Sequence, residues 1–253
     1  MKPTILFLDI ETTPDVVWVW GVYQQNAIAV KEHWYVLSFA AKWMGSRNIV
    51  VNGLDDYKGY KGGESTERML LRDVHQLLSM ADIVVAHNGR DFDVRKLNAR
   101  FIAHGMQPPS PYKVIDTKND LVMVAKFSSN RLNWLCEQLG IGRKLDHEGF
   151  RMWEGCMNGE SKWWNKMKRY NKHDIVLLEE LYNILAPWIP QPNAGVYSGS
   201  HCCPNPACAS KDLEKRGMSR SKTRIYQRYQ CRKCGTWSRD VKSQGGTTIT
   251  RAV

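Results

Sequence analysis

The stretch Thr4-Ile5-Leu6-Phe7-Leu8-Asp9-Ile10-Glu11 decides how the rest of the chain is read. Its apolar run has the length of a buried strand and stops at a carboxylate. Residues two apart on a strand project to one face, so Asp9 and Glu11 point together from a sheet edge. Taken alone, Asp-x-Glu arises by chance in chains of ordinary composition, and a solvated strand end is the default reading of it. The elements that follow give it a context. Residues 34–44 and 48–52 are rich in β-branched and aromatic side chains and read as two more strands. Leu70, Leu71, Val74, Leu77 and Leu78 recur at helical spacing behind a cap at Ser65 or Thr66. Residues 82–86 form a short buried strand, Val94, Leu97 and Phe101 mark a helix, and residues 113–116 another strand. Leu132, Leu135 and Leu139 mark a further helix closed by Gly140, and the longest helical pattern runs over 161–185. Three leading strands followed by alternating helices and strands predict a mixed sheet flanked by helices, an α/β fold. Such a fold alone narrows function little.

The chain has 253 residues with 43% hydrophobic and 24% charged content, which suits one medium domain plus a small appendage. No apolar run reaches the ~20 residues of a membrane span, and Met1-Lys2-Pro3 leads into a strand pattern rather than a signal peptide. These features exclude membrane and secreted readings and place the protein in the cytoplasm. Charge is uneven: residues 199–253 hold 12 Lys+Arg against 3 Asp+Glu, a net of +9 out of the total of +11. A nearly neutral body with a strongly basic tail reads as an enzyme or scaffold joined to an arm for a polyanion.

Five of the seven cysteines fall between Cys202 and Cys234. Cys203-Pro-Asn-Pro-Ala-Cys208 and Cys231-Arg-Lys-Cys234 form two close pairs, the spacing of two knuckles converging on one tetrahedral Zn²⁺. A segment this short buries too little apolar surface to hold itself together. Cys202 or His201 could replace Cys203 as a ligand. Cys136 and Cys156 stand alone in the body and read as buried thiols. Residues 191–200, rich in Pro, Gly, Ser and Asn, are the expected linker. The predicted division is therefore a domain over 1–190, a linker over 191–200, a basic zinc ribbon over 201–240 and a disordered tail over 241–253.

Further acidic residues stand at the right places to join Asp9 and Glu11. His87-Asn88-Gly89-Arg90-Asp91-Phe92-Asp93 follows a strand and opens a helix, bringing Asp93 towards the same sheet edge, although Asn and Asp there also serve as ordinary turn and cap residues. On the long helix, Tyr170 and Asp174 share a face at i and i+4. Tyr170 alone could be a core aromatic, but Asp174 interrupts the apolar stripe between Met167 and Leu177-Leu178 and needs a compensating partner. Clustered carboxylates repel one another unless a cation is present, and Mg²⁺ or Mn²⁺ suits an all-oxygen donor set.

These residues carry a resemblance. Leu6-Phe7-Leu8-Asp9-Ile10-Glu11-Thr12-Thr13 resembles the first motif of the DEDD (DnaQ-like, RNase H-like) 3′–5′ exonuclease superfamily. His87-Asn88 through Phe92-Asp93 is similar to the second motif, in the Asn-x-x-x-Phe-Asp spacing of family B DNA polymerase proofreading domains. Tyr170-x-x-x-Asp174 is similar to the third in its tyrosine form; the histidine form would need His where Arg169 stands, and His173 is out of register. The resemblance spans residues 1–186. It implies two-metal hydrolysis of a 3′-terminal phosphodiester, releasing nucleoside 5′-monophosphates. Asp9, Glu11, Asp93 and Asp174 would hold two Mg²⁺ or Mn²⁺, Tyr170 would orient the attacking water, and Asn88 would contact nucleic acid. Asp116 would support the site without being a ligand. No polymerase palm motif is visible.

The segment Arg228-Tyr229-Gln230-Cys231-Arg232-Lys233-Cys234-Gly235-Thr236-Trp237-Ser238 resembles the second knuckle of transposase DNA-binding zinc ribbons. Cysteine ligands Cys203, Cys208, Cys231 and Cys234 would hold the zinc, and Arg220, Lys222, Arg224, Arg228, Arg232, Lys233 and Trp237 would contact phosphates and bases of single-stranded or frayed ends. Tyr229 reads as ribbon core. Trp18, Trp20 and Tyr23 follow the first motif; core packing is the favoured reading for them over contact with a terminal base. The expected function is a metal-dependent 3′–5′ exonuclease on DNA, with RNA as the alternative polymer. An RNase-D-like exoribonuclease, a structure-specific endonuclease, or a DNA-binding regulator on a silent nuclease scaffold are the competing readings.

Overall fold

The computed structural model describes residues 2–23, 26–221 and 223–244. The run that opened the reading forms β1 (Ile5–Thr12), the central strand of a five-stranded mixed sheet. The body continues with β2 (Val16–Trp18), β3 (Ala29–Glu32), β4 (Val36–Trp43), β5 (Ile49–Gly53), α1 (Glu67–Ser79), β6 (Ile83–Ala86) and α2 (Asp93–Ala103). Then come β7 (Lys113–Asp116), α3 (Asn119–Val122), α4 (Leu132–Gln138), α5 (Phe150–Met157) and α6 (Ser161–Leu185). α7 (Ala194–Ser198) leads to a separate three-stranded sheet of β8 (Leu213–Arg220), β9 (Ile225–Cys231) and β10 (Trp237–Arg239). Among the described residues no helix is long and apolar enough to cross a membrane.

The main sheet runs β5-β4-β1-β6-β7, with β4 antiparallel to β1 and β6 parallel to it. Strand alternation divides β1 between two apolar layers. Leu6, Leu8 and Ile10 enter a core with α1, α2 and the N-terminal half of α6, while Ile5 and Phe7 enter one with α4 and the C-terminal half of α6. The Ile5–Phe7 row continues into Asp9 and Glu11, so the two carboxylates are the polar end of an otherwise buried row. The expected mixed sheet flanked by helices is the one observed.

The structure corrects several expectations. Trp18, Trp20 and Tyr23 do not pack in a core: they are 60%, 88% and 85% exposed. They lie on or just beyond β2, whose only ladder partner among the described residues is β3, so this region presents its aromatics to solvent. The sequence reading passed over this hairpin because its strands are short. Residues 191–200 are not all irregular. The Asn193 side chain accepts a hydrogen bond from Gly195 N–H at 2.8 Å and caps α7, whose buried Ala194 donates its N–H to Pro204 O at 2.9 Å. Thr66 precedes α1 but spends its hydroxyl on Leu54 O rather than on the helix N-terminus. The expected disordered tail falls largely on residues 245–253, outside the described residues, as does Lys222.

Candidate active site and cysteine cluster

Three carboxylates converge at the C-terminal end of β1. Oxygen atoms of Asp9, Glu11 and Asp174 lie within 4.8 Å of one another. Asp174 reaches them from α6, on the face where Asn171 and Tyr170 break the apolar stripe. Asn171 donates to the Asp9 carboxylate and accepts from Ser38 Oγ at 3.2 Å, and Ser38 is the cross-strand neighbour of Glu11. These bonds fix α6 against β1 and β4. Sequence reading missed Asn171 and Ser38; the only signal for Asn171 was its place beside Asp174 in the polar gap of α6.

Asp93 does not join the tight group. It opens α2 fully buried, and one oxygen accepts Ile10 N–H at 3.1 Å. Its charge still reaches the cluster, where it adds to the upward pressure on Asp9 and Glu11. Asn88 has φ of 70°, a left-handed conformation. A Cβ on Gly89 would come within 2.4 Å of the Ala86 Cβ, so the chain turns here only with glycine. Buried Asp116 holds this loop, accepting the backbone N–H groups of Asn88, Arg90, Lys118 and Asn119, each at 3.0 Å. The Asn88 side-chain oxygen accepts from Lys118 Nζ at 3.1 Å. His87 lies between Thr117 Oγ1 and Asn130 O at 2.9 Å each, and burial lowers its pKa to about 4, so it is neutral.

Lys144 was not foreseen. Its Nζ lies 2.6 Å from Asp174 Oδ2 and donates to Tyr170 Oη at 2.8 Å. Burial alone would depress the ammonium, but Asp174, Tyr170 and Asp9 hold it charged, above its ordinary value. His173 helps place the preceding residue, with its Nε2 2.9 Å from Arg143 O. Tyr170 is buried edge-to-face against His147 at 5.1 Å and Trp153 at 6.2 Å, and burial with Asp174 lifts its pKa to about 12. Lys144→Met should lower turnover by about 10–10²-fold, as loss of a neighbouring positioning group does. It should also lower the Mn²⁺ concentration giving half-maximal rate, because a competing positive charge is gone. A titration of rate against Mn²⁺ reads both, and an unmoved half-point would exclude the competition.

Burial and mutual repulsion raise the carboxyls: Asp9 well above its ordinary value, Glu11 to about 8 despite Lys144, and Asp93 to about 7. Burial raises Asp174 as well, against the pull of Lys144. Asp174 Oδ1 is buried without a hydrogen-bond partner. A hard divalent cation fits this donor set, since it would satisfy the orphan oxygen and offset the repulsion. A carboxyl raised in the fold binds more protons there than in the unfolded chain between the two pKa values. Stability therefore falls as pH rises through that window. With chelator, the melting temperature should drop between about pH 5 and about pH 8, and Mg²⁺ or Mn²⁺ should restore much of the loss at the upper end. A melting temperature flat across this range would contradict a repulsive cluster.

A second group, Glu64, Glu67 and His104, is internally satisfied: buried Glu67 accepts Val36 N–H at 2.8 Å and Arg100 Nε at 2.9 Å. In the ribbon, the sulfurs of Cys203, Cys208, Cys231 and Cys234 lie within 4.8 Å of one another. This arrangement selects Cys203; Cys202 Sγ instead lies 3.7 Å from Ser198 Oγ, and His201 packs on the Tyr229 ring. Among the described residues, only the part-buried Leu213 packs in this core besides the cysteines, so four thiols are the centre of the small domain. Burial pushes the Cys208 thiol up to about 11, while Thr236 holds Cys234 down to about 7 against its burial. A soft dication suits such a tetrad, because it binds the thiolate forms.

The expected nucleic-acid contacts are spread over the ribbon surface. Arg228 stacks on Trp237 with 4.7 Å from guanidinium to ring centroid, and Arg232 faces Glu214 at 3.6 Å. Arg220, Arg224 and Lys233 are exposed. Tyr229 is half-buried, its hydroxyl donating to Asp240 at 3.3 Å.

The family model described as RNase_H superfamily matches residues 6–186. Among solved structures, the family B DNA polymerase of the hyperthermophilic archaeon Pyrobaculum calidifontis superposes with a TM-score of 0.51 at 17% identity. That match covers 73% of this chain and 25% of the polymerase, so the chain spans about a quarter of that protein's length. Among curated proteins none matches the chain.

Proposed function

The chain belongs to the RNase H superfamily, and from that premise we propose that it is a metal-dependent 3′–5′ exonuclease acting on DNA. The observation that carries this reading is the convergence of Asp9, Glu11 and Asp174 around an unpartnered Asp174 oxygen, with the Tyr170 hydroxyl at the margin. In this reading Asp9, Glu11 and Asp174 hold the catalytic ions directly, and Asp93, buried behind Ile10, completes the set. Two Mg²⁺ or Mn²⁺ ions would supply positive charge to the attacking and leaving oxygens of an in-line displacement. Tyr170 orients the attacking water through its hydroxyl, which Lys144 fixes by hydrogen bonding. Residues 1–190 form the hydrolytic domain, and residues 201–240 form a zinc ribbon that binds the polyanionic backbone through Arg220, Lys222, Arg224, Arg228, Arg232 and Lys233, with Trp237 and Asn88 as further contacts. The two-metal requirement, the 3′ polarity and the preference for single-stranded or frayed ends all belong to this proposal.

The decisive experiment is incubation of the purified protein with Mg²⁺ or Mn²⁺ and end-labelled single- and double-stranded DNA and RNA. A ladder shortening from the 3′ end with nucleoside 5′-monophosphate product is expected on DNA. Internal cuts would replace the exonuclease reading by an endonuclease, and preference for RNA by an exoribonuclease. No cleavage alongside tight DNA binding would leave a binding protein.

Tyr170→Phe keeps the ring against His147 and Trp153 and removes only the hydroxyl. Turnover should fall by roughly 10²–10⁴-fold, the range for a positioned polar or proton-transfer group. The melting temperature should change little. Wild-type turnover would reduce Tyr170 to a packing role.

A further inference from the structure

The ribbon is docked on the body at the end of the sheet opposite the carboxylates. One cavity is lined on the body side by Thr4, Ile5, Trp43 and Met44 and on the ribbon side by Pro206 and Ala207 of the first knuckle. Ala207, together with Tyr197 of α7, packs on the apolar cluster that contains Ile5 and Phe7. The Ala194–Pro204 hydrogen bond ties α7 back to the same knuckle. β1 leads directly away from this seam: Ile5 is at the docked end, Glu11 at the other. Glu11 lies six residue steps beyond Ile5, a distance of about 20 Å along an extended strand. Arg232 and Lys233 occupy the second knuckle, whose sulfurs lie within 4.8 Å of those of the first.

We propose that the ribbon is a fixed far anchor rather than a swinging arm, and that it makes the protein select nucleic acids by length. This rests on the exonuclease reading and deepens it. A strand whose 3′ end lies at Glu11, the far edge of the carboxylate group, must extend about 20 Å before it meets the knuckle. At a rise of about 3.4 Å per nucleotide along the axis of a stacked strand, this is roughly six nucleotides. Longer strands engage carboxylates and knuckle together; shorter ones engage one at a time. Digestion therefore slows when about six nucleotides remain and leaves short oligonucleotides as its limit products.

The test is a ladder of DNA oligonucleotides from three to twenty nucleotides (about half to three times the span), with kcat/KM and affinity by fluorescence anisotropy measured at each length. Affinity is measured on Asp9→Asn protein so that the probe survives. Wild-type values should climb by roughly 10²-fold as length passes about six nucleotides, the lower end of the gain when a second tethered contact engages. The Arg232→Ala/Lys233→Ala protein should show no climb. Equal profiles for the two proteins, or a smooth profile in both, would overturn the proposal. Photo-crosslinkers placed along a 3′-anchored strand give a second reading on the Asp9→Asn protein with its ribbon unaltered. Adducts to residues 203–244 should appear only from about the sixth nucleotide onward, and adducts from the first two or three would refute the span. If no length is cleaved, the exonuclease reading fails by itself, while the anisotropy ladder still decides the span.

Discussion

Asp9→Ala and Asp174→Ala should each cut hydrolysis by at least ~10³-fold, the upper end of what one transition-state donor supplies, because each removes a ligand charge as well as an oxygen. The two variants should differ in stability. Asp9 is raised by burial and by three neighbouring carboxylates. Its removal relieves repulsion and leaves only Asn171 short of a partner, so the metal-free protein should melt no lower at neutral pH. Asp174 is the ion-pair partner of Lys144 at 2.6 Å. Its removal strands a part-buried ammonium and should cost stability. A rate assay on matched metal titrations, with a melting curve for each variant, separates lost chemistry from lost fold. Normal turnover in either variant would sink the site.

Removal of zinc should have the second largest effect, confined at first to the ribbon. Structural zinc in small domains contributes on the order of 10–16 kcal/mol of apparent binding free energy, and here the thiols are the core that zinc would organise. A strong chelator, or Cys231→Ala, should abolish ribbon structure and with it most DNA affinity. A tail contacting about four phosphates contributes a log–log salt slope of roughly −3 to −4, less on single strands, and that slope should flatten on chelation. The body should keep its own cooperative melt, lowered modestly because the seam around Ile5, Trp43 and Met44 loses its cover. Circular dichroism, zinc content and binding against salt measure each part. Unchanged affinity in the zinc-free protein would mean that the ribbon serves a partner other than nucleic acid.

The elements that carried the site were legible because each has a long, regular pattern. β1 could be read from its apolar run and α6 from its helical period, and the polar interruptions in both patterns are the residues that converge. Lys144 was not legible, since it stands in an irregular segment after Gly142 where no period applies. Asp93 was placed on the right element, but its carboxylate is turned to Ile10 N–H, a contact that no sequence pattern records. Cysteine spacing named Cys203 but left Cys202 or His201 as possible replacements, and the fold brings Cys203 into the tetrad while Cys202 lies against Ser198 and His201 against Tyr229. α7 hid in a Pro- and Gly-rich stretch because five residues are too few for a helical repeat to register.

The exposed β2–β3 hairpin has a practical consequence. Val17, Trp18, Val19, Trp20, Val22 and Tyr23 present apolar surface to water within a few residues of the first carboxylates. Salt would screen the proposed attraction of the basic ribbon for polyanions, yet excluded salts such as sulfate strengthen apolar association. The buffer that frees this protein from contaminating nucleic acid should therefore be the one that drives it to self-associate. Its solubility should pass through a maximum at intermediate ionic strength, and exchanging Trp20 for a charged residue should widen that window.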